Sequence, residues 1–125
     1  MAEVIDIRGG DEQAVARAVT RAAAAIADGE LVTVPDEAGY QLVTSISEPD
    51  ATDTLLRDSL STDQLDPVVL GTDGENLLER VAGSKGPGEM AIRLARRCWP
   101  APIVLELAAA TRAPKTWSRS FWQRV

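Results

Sequence analysis

The stretch Ala27-Asp28-Gly29-Glu30-Leu31-Val32-Thr33-Val34-Pro35-Asp36-Glu37-Ala38-Gly39-Tyr40-Gln41-Leu42 carries most of the information about the fold. Asp28-Gly29 ends a helix, because glycine adopts the positive φ at which helices terminate. Leu31-Val32-Thr33-Val34 is a branched apolar run that predicts a strand, stopped by Pro35. Asp36 to Gly39 is then a loop, and Tyr40 to Ile46 predicts the next strand.

Upstream of Gly29, apolar residues at Val15, Val19, Ala22 and Ile26 recur at helical spacing, with Arg17 and Arg21 off that stripe. Asp11 is placed to cap a helix over residues 11–28. Gly9-Gly10 separate it from Val4-Ile5-Asp6-Ile7, which reads as a short opening strand. Downstream, Glu48-Pro49-Asp50 opens a helix to Leu60, and Ser61 to Asp66 is a polar loop. Pro67-Val68-Val69-Leu70 reads as a strand and Asn76 to Ala82 as a short helix. Gly83 to Gly88 is a loop on its Gly and Pro content, and Met90 to Arg97 a helix. Trp99-Pro100-Ala101-Pro102 turns the chain into a strand at Ile103-Val104-Leu105-Glu106-Leu107. Interleaved helices and strands without an internal repeat predict a layered α/β fold. Residues 1–110 form the domain on this reading, and residues 111–125 a basic, tryptophan-containing tail.

A chain of 125 residues holds one hydrophobic core and is too short for two ordinary domains. Five aromatic residues leave that core to Val, Leu, Ile and Ala. The sequence has no histidine and a single cysteine, Cys98. That excludes His-based acid–base chemistry, Ser-His-Asp triads, Cys- or His-rich zinc sites and an internal disulfide. No apolar run reaches bilayer-spanning length and the N-terminus lacks a secretion pattern, so the cytoplasm is the expected compartment. Charge is segregated: residues 1–75 carry four basic and sixteen acidic side chains, residues 76–125 nine basic and three acidic. Such asymmetry steers anionic partners toward the basic part, or marks two ordinary solvated faces.

Two segments resemble the YrdC-like family, the threonylcarbamoyl-AMP synthases of tRNA modification. Residues 27–42 are similar to that family's helix, glycine, strand and Pro-Thr-x-Thr-x-Tyr-Gly-Leu loop, with Pro35, Tyr40 and Leu42 kept. Leu94-Ala95-Arg96-Arg97-Cys98-Trp99-Pro100-Ala101-Pro102-Ile103-Val104-Leu105 resembles its helix, Trp-Pro-Gly-Pro turn and strand. The resemblance implies a twisted mixed β-sheet with packed helices. It implies a cleft shared by threonine, bicarbonate, ATP and Mg²⁺, and tRNA or double-stranded RNA as partner. The family's later Ser-Ala-Asn loop has no counterpart before Val125, so the domain reads as shortened.

Carried over position by position, the resemblance assigns substrate binding to Pro35, Asp36, Ala38, Tyr40, Leu42, Leu60, Thr62, Asp66 and Pro67. Asp36 and Ala38 replace the two loop threonines, and Gln41 replaces the loop glycine. Asp66 stands at the lysine of a Lys-Pro pair, and Leu60-Ser61-Thr62 at a Lys-x-Arg element, with Arg57 three residues away. Three readings of function stay open: a domain related to the adenylate-forming enzyme, a non-catalytic binding module that kept the fold, and a remnant or partial chain whose C-terminal half once completed the site. Tyr40 lines a pocket or packs on the core, and the tryptophan turn reads as structural. Cys98, beside Arg96 and Arg97, reads as a cysteine without a chemical role. Trp117, Phe121 and Trp122 are expected to fold back over the sheet or to form a homodimer contact.

Overall fold

The computed structural model describes residues 2–37, 39–60, 68–71, 73–82, 86–108, 110, 112 and 114–122, the side chains of Ser59, Leu60 and Glu75 excepted. The α/β class holds: helices accompany a small antiparallel sheet. The chain divides into two compact units, Met1–Ser45 and Ile46–Val125.

In the first unit, helix α1 spans Glu12–Ala27. It starts at Asp11, whose carboxylate accepts the Ala14 N–H at 2.7 Å and satisfies one of the free amides of the first turn. It ends where Gly29 takes φ 79°. There the Gly29 N–H bonds Ile26 O and the Glu30 N–H bonds Ala25 O, the paired closure that a left-handed glycine permits. The side of α1 turned inward carries Ala14, Ala18 and Ala25, whereas Val15 and Val19 stay exposed. Strand β1, Val32–Asp36, pairs antiparallel with β2, Gly39–Val43, with Val32 opposite Val43 and Asp36 opposite Gly39. Thr44 Oγ1 donates to Glu30 O at 3.0 Å, tying the end of β2 to the exit of α1.

Pro35 does not stop the strand; β1 continues to Asp36. In a two-stranded ribbon each strand has an open edge, and proline's missing N–H is tolerated on an edge. The strand expected at residues 4–7 is absent. Arg8 turns back on Asp6, its backbone N–H and guanidinium both donating to that carboxylate, and the Gly10 N–H closes a turn on Ile7 O. The guanidinium holds the Asp6 carboxyl below the usual carboxylate range, and the carboxylate in turn raises the Arg8 pKa.

The second unit contains helices α2, Pro49–Leu60; α3, Gly74–Val81; α4, Glu89–Cys98; and a single turn, α5, Arg119–Trp122. Proline opens α2 at a position where its missing N–H costs nothing, and Asp73 caps α3 through the Asn76 N–H at 3.1 Å. The core is Leu56 of α2 against Trp117 and Phe121, with Ile46, Val69, Leu77, Val81 and Trp122 packed around it. The Trp117 ring meets Phe121 and Trp122 edge-on, at centroid separations of 6.4 and 5.8 Å. Helix α4 turns Ala91 and Ala95 inward and packs on α3.

Two further strand expectations fail. Among the described residues, 68–70 and 103–107 join no ladder. Val69 reaches the core through its side chain while Val68 and Leu70 face solvent. Ile103 is held by a turn instead: its N–H bonds Ala101 O at 2.7 Å, and its carbonyl accepts the Trp99 Nε1 proton at 2.9 Å. The aromatic residues of the tail fold back onto helix α2 rather than over the sheet.

Candidate functional site

Side chains alternate across a strand, so pairing Pro35 with Tyr40 and Thr33 with Leu42 places these four on one face of the hairpin. Val32, Val34 and Val43 occupy the other face and are half-buried. The first face is open: Thr33, Pro35, Tyr40 and Leu42 are all exposed, Tyr40 to 79%. Three of the residues carried over from the sequence, Pro35, Tyr40 and Leu42, therefore meet on a single surface. Tyr40 is not packed over the core. Thr33 belongs to the same surface and was passed over in the sequence; stepping back two residues from Pro35 was the signal that would have found it.

Asp36 stands at the tip of the hairpin. Its Oδ1 accepts the Gly39 N–H at 2.9 Å, closing the connection between the strands. Gly39 has φ 143°, which disfavours any side chain at that position. Asp36 and its neighbour Glu37 are exposed and give the tip a negative rim. The face itself carries no cationic side chain, and the residues present do not fit a polyphosphate. Among the described residues, no group of three or more His, Cys, Asp or Glu side chains is placed to hold a metal ion.

Leu60 ends α2 in the second unit, and its side chain, like Ala38, Thr62, Asp66 and Pro67, lies outside the described residues. An open groove on α1, lined by Ala16, Arg17, Thr20, Arg21 and Ala24, involves none of the carried-over residues. Arg21 in that groove is tied to Glu3 at 3.0 Å.

The tryptophan turn is built into the second unit. The Trp99–Pro100 peptide is cis, and the Ala101 N–H returns to Cys98 O at 2.9 Å. The six-membered edge of the Trp99 ring lies against Gly74 at the start of α3, where a Cβ would clash with Cε3 and Cζ3. These contacts give Trp99 a structural task and make glycine necessary at position 74. Cys98 is a free, partly buried thiol. In the tail, Arg112, Lys115 and Arg119 are exposed, while Trp117 and Phe121 are buried and offer no ring for base stacking. No helix among the described residues is long and apolar enough to cross a membrane.

A family model for the Sua5/YciO/YrdC proteins, described as telomere recombination, matches residues 24–120. That range takes in both the hairpin face and the tryptophan turn. No curated protein and no solved structure matches the chain.

Proposed function

The chain belongs to the Sua5/YciO/YrdC family, and from that premise we propose that it is a non-catalytic, RNA-binding relative of the threonylcarbamoyl-AMP synthases, serving tRNA modification without forming the adenylate itself. One observation carries this reading: the hairpin face keeps Pro35, Tyr40 and Leu42, while the first threonine position is filled by Asp36, whose carboxylate closes the turn. A carboxylate at the tip repels the anion that the family's reaction consumes. Ala38 at the second threonine position removes a hydroxyl, and Asp66 brings negative charge where the family has lysine.

RNA remains compatible with the chain because its cations are elsewhere. Arg93, Arg97, Arg112, Lys115 and Arg119 are exposed in the second unit, and phosphate contacts need charge rather than a catalytic loop. The expected partner is tRNA or another double-stranded RNA, and the expected compartment is the cytoplasm.

Two measurements on the purified protein test the proposal. Incubation with threonine, bicarbonate, ATP and Mg²⁺ should release no pyrophosphate above background. Fluorescence anisotropy with labelled tRNA should show binding that weakens steeply between about 50 and 200 mM salt. Threonine-dependent pyrophosphate release would restore the chain to the catalytic members. An absence of salt-sensitive RNA binding would remove the RNA-binding half of the reading.

A further inference from the structure

A two-stranded sheet has two open edges, and in the first unit they differ. Pro35 has no N–H, so the pair Pro35–Tyr40 is a non-hydrogen-bonded pair of the antiparallel ladder, and Val34–Gln41 is a bonded one. The backbone groups of Gln41 therefore point to β1, and those of Tyr40 and Leu42 point out of the open edge of β2. On the opposite edge Pro35 leaves a gap in the row of donors, which closes an edge strand to further pairing. Strand β2 has no proline and no charged side chain. Helix α1 packs on β1, and among the described residues no further backbone bond reaches Tyr40 or Leu42. Their side chains are exposed as well, Tyr40 to 79% and Leu42 to 43%.

We propose that the β2 edge is a self-association site. There β2 of a second copy adds antiparallel about a twofold axis through Gln41, and two hairpins become one four-stranded sheet. Both sides of this contact are the same strand, so a single chain cannot make it with itself, and every group it uses lies in β2. In that register Tyr40 stands opposite Leu42 of the second copy, and Leu42 opposite its Tyr40. Each of these pairs exchanges two backbone hydrogen bonds, so the open N–H groups of both copies all find carbonyls. A tyrosine ring beside a leucine is a favourable cross-strand pair, and the contact withdraws two exposed apolar side chains from water. On the other face Gln41 meets Gln41 of the second copy, and each amide is both donor and acceptor. Antiparallel addition also carries the acidic tips, Asp36 and Glu37, to opposite ends of the sheet, whereas parallel addition would set them side by side. Four strands exceed the three that a sheet needs to be stable by itself. The twofold contact closes as a dimer, and the edges left over are those that carry Pro35. The tail is not the contact, because Trp117 and Phe121 are already buried in their own chain.

Sedimentation equilibrium of RNA-free protein at about 100 μM should give twice the 13.4 kDa chain mass. The dimer should persist as salt rises, because no charged side chain lies in the contact. Gln41→Glu alone, and Gln41→Lys alone, set like charges across the axis and should each raise the dimer dissociation constant at least tenfold. An equal mixture of the two variants should associate to within a few-fold of the parent. Gln41 is exposed, so circular dichroism should match the parent for both. A second measurement tests the register. Chains bearing Gln41→Cys with Cys98→Ser should oxidise to a disulfide-linked dimer, because residues opposite one another in a non-bonded pair lie within disulfide reach. Chains bearing Tyr40→Cys with Cys98→Ser, two positions out of register with their own copy, should do so at least tenfold more slowly. A monomer at that concentration, charge variants that dimerise as tightly as the parent, or a mixture no tighter than its components overturns the proposal. An edge that receives an extended peptide of another protein instead would be seen here as a monomer. Tyr40→Cys chains that cross-link as fast as Gln41→Cys chains overturn the axis through Gln41.

Discussion

The two units are held together in different ways. Met1–Ser45 is assembled from neighbours: a capped alanine-rich helix, a glycine closure, and a hairpin whose paired residues are three to eleven positions apart. Ile46–Val125 is centred on side chains from far along the chain, with Leu56 enclosed by Trp117 and Phe121. A two-stranded hairpin is marginal alone, so the first unit depends on caps and local hydrogen bonds. The second depends on a few large apolar contacts. A single side chain is therefore expected to matter far more in the second unit than in the first.

Trp117→Ala is the strongest test of that contrast. Removing a buried aromatic side chain costs about 3–5 kcal/mol, a large share of the roughly 5–15 kcal/mol that holds a domain. Hydrogen exchange should show the amides of α2 losing protection while those of β1 and β2 keep theirs. Equal loss in both would make the chain one cooperative body and abolish the contrast. A smaller effect is expected from Asp11→Ala, which removes the cap of α1 and should cost about 1 kcal/mol. Faster exchange at Ala14 and the rest of the first turn, with α2 and α4 unchanged, is the outcome that sharpens the comparison.

The smallest effect belongs to the Asp6–Arg8 pair. The folded Asp6 pKa is depressed, so the pair's contribution is present at neutral pH and is lost as pH falls through the folded value. Both groups are exposed, and solvent screens the pair, so the change should be seen as a titration rather than as melting. An NMR titration should place the Asp6 midpoint below the ordinary carboxylate range, and Arg8→Gln should move it part of the way back, the residue-8 N–H still donating to the carboxylate. A midpoint unmoved by that substitution would detach Asp6 from Arg8.

Helices were legible in the sequence because their determinants are local. Asp11, the apolar spacing and Gly29 delimit α1 to within a residue. The α/β class and the family were also legible, in the glycine-to-tyrosine stretch and the tryptophan turn. Strands β1 and β2 were legible too, but the strands expected at residues 4–7, 67–70 and 103–107 were misread, because a strand exists only when another chain segment lies alongside it. Val68, Leu70, Ile103 and Val104 have strand-forming side chains, and the structure leaves them exposed without a ladder. At the candidate site, Pro35, Tyr40 and Leu42 were identified by likeness, but their sharing of one face follows from a register that propensity does not encode. Helix α5 escaped notice for a different reason: four residues are too few to show a period.

The hydrogen bond from the Ser118 N–H to Ile46 O, 2.8 Å long, has a consequence for the order in which the protein is made. It joins the first residue of the second unit to a position seventy-two residues later, next to the aromatic pair that encloses Leu56. During synthesis the hairpin leaves the ribosome with all of its partners present. Helix α2 emerges soon afterwards with its apolar side uncovered, and waits about sixty residues for Trp117 and Phe121. At ordinary elongation rates that interval lasts roughly 3–12 s, far longer than a helix takes to form. The nascent chain thus passes through a period in which one half is complete and the other exposes a sticky helix. That interval is when a chaperone has most reason to bind.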